Sequence, residues 1–316
     1  MIVDILTQLG QLLLALALAP LLTGYVRSLK AQLMRRQGPP IVQPYRDLLK
    51  LIRKEVVLAR NASWIFRVTP YVVFATTLTA VALIPTFATG LVFSPAADLI
   101  AIVALLGSAR FFLALAGLDV GTSFGGIGSS REMMIASLAE PAMLMIVVTL
   151  SLLAGSTQLA SVSAFMLGPD VGLRVSLAMA LIALVMVAIA ENARIPVDNP
   201  ATHLELTMIH EAMILEYSGR HLAVIEAAAY LKLLLYFSLI ACMFVPWGTA
   251  TAGEGAWAFA VGVAAYLGKL AGLGFLLAVF ETGTAKMRVF RVSDFMGAAL
   301  MLGSLAALLL FVSRGL

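Results

Sequence analysis

Long apolar runs, separated by shorter polar segments, extend along the whole chain. An apolar run needs about 20 residues to cross a bilayer as a helix. Eight runs are long enough, and each predicts a transmembrane helix. Their approximate limits are 5–26, 68–90, 97–118, 133–154, 173–191, 221–246, 256–281 and 293–313. The pattern therefore predicts an all-α, polytopic membrane protein, with one integral membrane domain over residues 1–316.

Composition strengthens this interpretation. Of the 316 residues, 61% are hydrophobic and only 12% are charged, about half the charged fraction of a soluble domain. The first run has no basic region before it and carries Asp4 early, so it is expected to be a retained span rather than a cleaved signal. The chain has a single cysteine, Cys242. One thiol can form neither a disulfide within the chain nor the set of thiolate ligands that an iron–sulfur cluster needs.

The distribution of basic residues predicts the orientation in the membrane. Nine lysines and arginines fall in the segment 27–66, whereas the segments 91–97, 155–171 and 247–255 have none. Because cytoplasmic loops are enriched in Lys and Arg, both termini are predicted to lie outside and 27–66 to be a basic cytoplasmic loop. The net charge of +4 follows this topology and does not indicate nucleic-acid binding.

An interfacial amphipathic helix is predicted at residues 43–56. Tyr45, Leu48, Leu49 and Ile52 form an apolar stripe, and basic residues fill the other side. Two roles stay open, namely fixing the orientation of the chain and docking a partner protein. The candidate docking residues are Arg35, Arg36, Arg46, Lys50, Arg53 and Lys54.

Several charged side chains fall inside the predicted spans. They are Arg110, Glu140, Glu226, Lys232, Lys269 and Glu281. Each costs about 2.5–3.5 kcal/mol at the bilayer centre, so such residues usually face a protein interior or an ion path. An ion path is favoured for the set. For Glu281 we expect snorkelling from the span end, and a structural pair between Lys232 and Glu226 stays open.

The glycine-rich stretch 117–132, "GLDVGTSFGGIGSSRE", is predicted to be an irregular inner loop between the third and fourth spans. It does not match the GxxxxGK[ST] pattern of a phosphate-binding loop. Nucleotide binding is therefore not expected there.

Segment 191–220 concentrates acidic residues between two apolar spans. A short helix over about 200–216 is predicted, because Asn199 can cap it and Pro200 suits its first position. The carboxylates are Glu191, Asp198, Glu205, Glu211 and Glu216. Apolar neighbours predict that the segment packs against the bundle as a cytoplasmic junction, where adjacent carboxylates would raise one another's pKa and suit proton exchange.

The two histidines of this segment do not indicate a metal site. His203 and His210 are seven residues apart on the predicted helix, too far to ligate one ion from one face. Ile214 stands where a zinc protease motif would have its second histidine. Both histidines are therefore interpreted as surface or subunit-contact residues, and no metal ligands are predicted in the chain.

Three motifs, taken together, resemble those of a known family. They are "RRQGPPIVQPYRDLLKLIRKE" at 35–55, "ARFFLALAGLDVGTSFGGIGSSRE" at 109–132 and "ENARIPVDNPATHLEL…LEYSG" at 191–219. In collinear order over nearly the whole chain, they resemble the membrane subunit of respiratory complex I called NuoH, or subunit 1. The resemblance is closer to the HyfC/HycD-type membrane subunit of formate hydrogenlyase and membrane-bound nickel–iron hydrogenases.

The resemblance implies a membrane-anchor and coupling subunit, without a catalytic centre of its own, in the bacterial cytoplasmic (inner) membrane. Its expected partners are hydrogenase-like large and small subunits, a ferredoxin-like iron–sulfur subunit and antiporter-like membrane subunits. Iron–sulfur and nickel–iron centres would lie in those partners, and this chain would hold no cofactor. The motifs place Arg110, Glu132, Glu140, Glu191, Arg194, Asp198, Glu205 and Glu216 at the junction. The charge argument adds Glu211, Glu226, Lys232 and Lys269 to the ion path.

The sequence leaves three other functions open. A quinone-site subunit of a respiratory NADH dehydrogenase is one, although "PVDNPATHLEL" lacks the acids that the family usually carries between Asp198 and Glu205. A stand-alone cation transporter and a purely structural anchor, whose charges only pair with one another, are the others.

Overall fold

The computed structural model describes residues 2–168, 174–198, 208–250, 255–288 and 291–315. Regular structure in these ranges is helical, apart from isolated β-bridges. The helices are α1 (Ile2–Leu33), α2 (Gln43–Ile52), α3 (Trp64–Leu83), α4 (Leu99–Asp119), α5 (Ser123–Ala154), α6 (Leu159–Leu167), α7 (Val175–Glu191), α8 (His210–Ile214), α9 (Gly219–Phe244), α10 (Ala256–Gly283) and α11 (Val292–Gly315).

Seven helices in the described ranges are long and apolar enough to cross a membrane, namely α1, α3, α4, α5, α9, α10 and α11. The eighth predicted span, α7, is apolar but has only 17 residues. At 1.5 Å per residue it rises about 26 Å, slightly less than the ~30 Å hydrocarbon core. The prediction of an all-α, multi-pass membrane protein is confirmed, with seven full-length spans and a shorter one. The orientation of the termini stays a prediction.

Helix α9 forms the centre of the bundle. In its most apolar window, 78% of residues are buried within the chain, against 28–50% for the other six spans. It packs against α3 and α1, and α2 and α6 also contact it. Helix α5 forms a second group with α4, α7 and α11. Lys232, in the middle of α9, is therefore held largely inside the protein, at 17% side-chain exposure.

The glycine-rich stretch is helical, so the prediction of an irregular loop at 117–132 was wrong. Only the turn between α4 and α5 is non-helical, with Gly121 at a φ of +70°. The glycines serve close helix packing instead. A Cβ on Gly125 would lie 2.1 Å from the carbonyl oxygen of Gly117, and a Cβ on Gly128 would lie 2.9 Å from Met213. Glycine at these positions lets α4, α5 and α8 approach one another.

The "LEYSG" motif fixes the start of α9 against the basic segment. The Tyr217 ring stacks on Phe66 with centroids 3.9 Å apart, and its hydroxyl donates to the Phe66 carbonyl at 3.0 Å. Ser218 Oγ donates to the Val57 carbonyl at 3.0 Å. Gly219 has a φ of +54°, and a Cβ there would lie 2.5 Å from the Glu55 carbonyl oxygen. The motif therefore joins the acidic segment to residues that follow α2.

Helix α2 ends at Ile52, four residues earlier than predicted. Only half of the predicted apolar stripe packs on the bundle, because Tyr45 and Leu48 are half-buried whereas Leu49 and Ile52 are more than half exposed. All six candidate docking cations are exposed on this surface: Arg35, Arg36, Arg46, Lys50, Arg53 and Lys54.

Candidate functional site

Three charged side chains from three helices meet inside the bundle, and we call them the central charge cluster. Arg110 comes from α4, Glu191 from the end of α7 and Lys232 from α9. Arg110 Nη1 lies 2.8 Å and Lys232 Nζ lies 2.9 Å from the two Glu191 oxygens. The Glu191 side chain is 1% exposed and that of Arg110 6%. A single buried carboxylate therefore holds two cations.

Glu140 connects this cluster to the outer surface of the bundle. Its Oε1 lies 3.7 Å from Arg110 Nη2, and its side chain is 45% exposed. Gly107 lies beside it on α4, where a Cβ would come within 3.2 Å of the same carboxylate oxygen. The carboxylate therefore borders an open groove between α4 and α5, about halfway along α5. The described residues therefore leave nearly half of the Glu140 side chain uncovered.

A small cavity borders the other side of the cluster. Arg110, Glu191, Lys232, Glu132 and His210 all line it, together with apolar residues of α3, α4 and α9. The cavity offers about 70 Å³ to water-sized molecules, enough for a few waters at about 10–15 Å³ each. Both Glu191 oxygens lack a well-directed hydrogen bond from a protein donor, so water entering the cavity would find polar atoms to bind.

His210 faces this cavity from the first position of α8 and is half-buried, so it is not a fully exposed surface residue, and its role in a subunit contact stays a prediction. The sequence could not show this, because α8 is turned inward by contacts made elsewhere. Arg131 donates to the Met208 carbonyl at 2.8 Å, and the Ile209 amide donates to Asp198 at 3.1 Å. Burial lowers the pKa of His210, and nearby Lys232 lowers it further.

The acidic segment packs into the protein, as its apolar residues predicted. Met208, Ile209, Met213, Ile214 and Tyr217 are all buried, whereas Leu215 is 49% exposed. Residues 199–207 lie outside the described ranges, and with them the first part of the predicted 200–216 helix, including Glu205 and His203. Within its described part, 208–216, the residues His210–Ile214 form α8.

Further ion pairs hold the ends of α7 and α10 together. Glu281 lies 2.9 Å from Lys30 and 3.5 Å from Arg194, and its side chain is 3% exposed. The expectation that Glu281 snorkels from a span end was therefore wrong. Asp198 lies 2.9 Å from Lys286 and is 2% exposed. Sequence reasoning missed Lys30 and Lys286 as site residues, although their charges near span ends were visible, and it interpreted Glu281 as snorkelling.

The remaining predicted residues do not join the central charge cluster. Glu216 lies just before α9 and Glu226 lies within it, and both are half-buried. Lys232 pairs with Glu191 and not with Glu226, because six residues along a helix rotate the side chain by about 240°, to another face. Lys269 of α10 lies apart from the cluster, with no described carboxylate within 4.0 Å. Among the described residues, no group of three or more metal-ligating side chains is found.

The pKa of Glu211 predicts a pH dependence of stability. Burial, then the charges of Glu226 and Asp198, raise it from 4.5 to about 7. Between these values the folded chain binds the proton that the unfolded chain has lost, so stability falls as pH rises from about 4.5 to 7. In thermal unfolding of the detergent-solubilised chain, Glu211→Gln should flatten this fall. The exposed Glu55→Gln control should keep it, and an unchanged slope in the Glu211 variant would contradict the assignment.

Comparison with known proteins places the chain in a family. A family model described as NADH dehydrogenase matches residues 7–312. Formate hydrogenlyase subunit 4 of Escherichia coli (strain K12) is 33% identical over 289 residues, which cover 90% of this chain and 92% of that protein. Hydrogenase-4 component C of the same strain is 36% identical over 243 residues, covering 77% of this chain and 76% of that protein.

A solved structure shares the fold at lower identity. It is that of the membrane-bound sulfane sulfur reductase, an archaeal respiratory membrane complex. One of its chains has a TM-score of 0.83 and 18% identity, covering 97% of this chain and 99% of that one. The family match and the two relatives decide the assignment, and the shared fold agrees with it. The chain therefore belongs to the NADH dehydrogenase family and is a NuoH-like membrane subunit of the complex I-like and hydrogenase type.

Proposed function

We propose that this chain couples the redox reaction of peripheral subunits to ion movement by neighbouring membrane subunits. It would anchor hydrogenase-like large and small subunits and a ferredoxin-like iron–sulfur subunit at the cytoplasmic face of a bacterial inner membrane. Antiporter-like subunits would lie beside it in the bilayer. The observation that carries the proposal is the central charge cluster, which borders a water-sized cavity on one side and Glu140 on the other.

The cluster can move charge because its ion pairs depend on one carboxylate. Glu191 neutralises both Arg110 and Lys232 in a buried site. If a proton reaches Glu191, both cations lose their counter-ion, and repulsion between them favours the release of a proton from Lys232 or a closer approach of Arg110 to Glu140. In this way, a proton that enters near Glu211 or Glu132 would change the electrostatic potential at Glu140.

Glu211 and His210 suit the entrance of this path. The pKa of Glu211 is about 7, so its carboxyl group takes up and releases protons near neutral pH. His210 lines the cavity together with Glu132, and burial keeps its imidazole neutral, able to accept a proton at one nitrogen and donate from the other.

The exposed basic residues on and around α2 suit the docking role. All six candidate docking cations are exposed, namely Arg35, Arg36, Arg46, Lys50, Arg53 and Lys54. Such a surface attracts acidic patches on a soluble partner, and the attraction weakens as ionic strength rises. The tight contact between "LEYSG" and residues 55–57 connects this docking surface to the acidic segment.

The coupling role is tested by replacing carboxylates along the path. In the assembled complex, reconstituted in liposomes, Glu140→Gln and Glu211→Gln should each lower redox-driven ion uptake by about tenfold or more, because a neutral amide cannot exchange a proton. Ion uptake is measured with a pH- or ion-sensitive dye while the redox reaction is followed in parallel.

A matched control is Glu55→Gln, which removes an exposed carboxylate outside the path. It should leave ion uptake unchanged, and all three variants should retain the peripheral subunits on purification. Normal ion uptake in both path variants would contradict the coupling role and leave an anchoring role.

A further inference from the structure

An apolar cleft opens between α7 and α10, and α9 forms its floor. The floor consists of buried side chains, among them Leu233 and Phe237, whereas the walls include Leu276 and Phe280, which are 62% and 40% exposed. Its volume is about 320 Å³. At the end of the cleft near the C-termini of α7 and α10, the lining changes from aliphatic side chains to Asn192 and Arg194.

A basic pocket of about 430 Å³ adjoins the cleft at this end. Its charged residues are Arg27, Lys30, Arg36, Arg194 and Glu281. Arg194 lines both spaces, so the pocket and the cleft share a wall. Together they form a site that is apolar along its length and strongly cationic at one end.

The charges of the residues that line the pocket do not balance one another. Four cations face one carboxylate, and that carboxylate is already engaged by Lys30 at 2.9 Å and Arg194 at 3.5 Å. Arg27 and Arg36 are both exposed, and neither lies within 4.0 Å of a described carboxylate. The pocket therefore offers two arginines and a net positive charge to an anion from outside the chain.

We propose that the cleft and the pocket bind one anionic phospholipid. The phosphate would lie against Arg27 and Arg36, and an acyl chain would extend along the cleft between α7 and α10. A basic pocket between membrane helices suits an acidic lipid headgroup. A soluble phosphate compound would leave the apolar cleft unfilled, and a zwitterionic lipid would leave the cationic excess uncompensated. The proposal concerns lipid recognition and does not depend on the coupling role.

The test measures lipid binding to the full-length purified chain by native mass spectrometry in detergent. Phosphatidylglycerol and phosphatidylcholine with identical acyl chains are compared. We expect one phosphatidylglycerol to be retained, with at least a tenfold preference over phosphatidylcholine. The double variant Arg27→Gln and Arg36→Gln should lose roughly 25-fold in affinity, about fivefold for each cation at about 1 kcal/mol.

A second variant tests the cleft without changing any charge. Leu276→Trp fills part of the cleft from its exposed wall and should also weaken phosphatidylglycerol binding. The matched control, Arg46→Gln with Arg53→Gln, removes two exposed cations outside the pocket and should bind the lipid normally.

Four results would overturn the proposal. One is equal retention of the two lipids by the wild-type chain. Another is equal loss in the pocket and control variants. The third is binding of soluble glycerol phosphate as tight as that of the lipid, because it would show that the cleft contributes nothing. A short-chain quinone that displaces phosphatidylglycerol at lower concentration would assign the cleft to quinone instead.

Discussion

Replacing Glu191 with glutamine should abolish redox-driven ion uptake and strongly destabilise the chain. Glu191 neutralises Arg110 and Lys232. In the variant, the carboxylates left near these cations are Glu132, which lines the same cavity, and the more distant Glu140. Removing one partner of a buried ion pair typically costs about 3–5 kcal/mol. Thermal unfolding of the solubilised chain and ion uptake by the reconstituted complex measure the two effects separately.

A double variant separates stability from transport. Adding Lys232→Met to Glu191→Gln removes one of the two cations left without a counter-ion, so part of the lost stability should return. Ion uptake should not return, because no carboxylate is restored. Recovery of ion uptake in the double variant would show that the central charge cluster is structural and that charge moves elsewhere.

Replacing Gly125 with alanine should prevent normal packing of α4 against α5. The new Cβ would lie 2.1 Å from the Gly117 carbonyl oxygen. That atom belongs to the backbone of a helix and cannot turn away, so the helices must separate. Overpacking of this kind costs about 1–3 kcal/mol or more. A lower unfolding temperature and a loss of assembled complex on size-exclusion chromatography are expected.

The neighbouring glycine provides the control. A Cβ on Gly126 has no atom within 4 Å, so Gly126→Ala should be neutral or stabilise helix α5 by up to about 1 kcal/mol. If the two variants unfold at the same temperature, close approach at Gly125 does not determine the packing of these helices.

The positions of most helices follow from the sequence because an apolar run must cross lipid as a helix, whatever its neighbours. The glycine-rich stretch shows the limit of this argument. Glycine weakens a helix on average, so Gly125 and Gly128 indicated a loop. Their actual use depends on a contact with Gly117 and Met213 from other elements, which no local pattern contains.

The sequence predicted which charged residues belong to the site, but not which of them pair with one another. Arg110 and Lys232 were identified as charges inside spans that must be held away from lipid, and Glu191 as a carboxylate of the acidic segment. Their pairing joins residues from three helices, and the sequence does not fix which faces of those helices meet. The position of His210 beside the cavity was not predicted for the same reason, because it depends on Arg131 and Asp198 anchoring the residues before it.

The ion pair between Lys30 and Glu281 has a consequence for how the chain is made. The two residues are separated by 251 positions in the sequence, and Tyr25 and Ala271 make a similar long connection between α1 and α10. At about 5–20 residues per second, a ribosome needs roughly 13–50 s to cover that distance. During this interval α1 resides in the membrane without its final neighbour. The bundle therefore closes late in synthesis, and a chain that stops before α10 leaves α1 available to chaperones and proteases of the membrane.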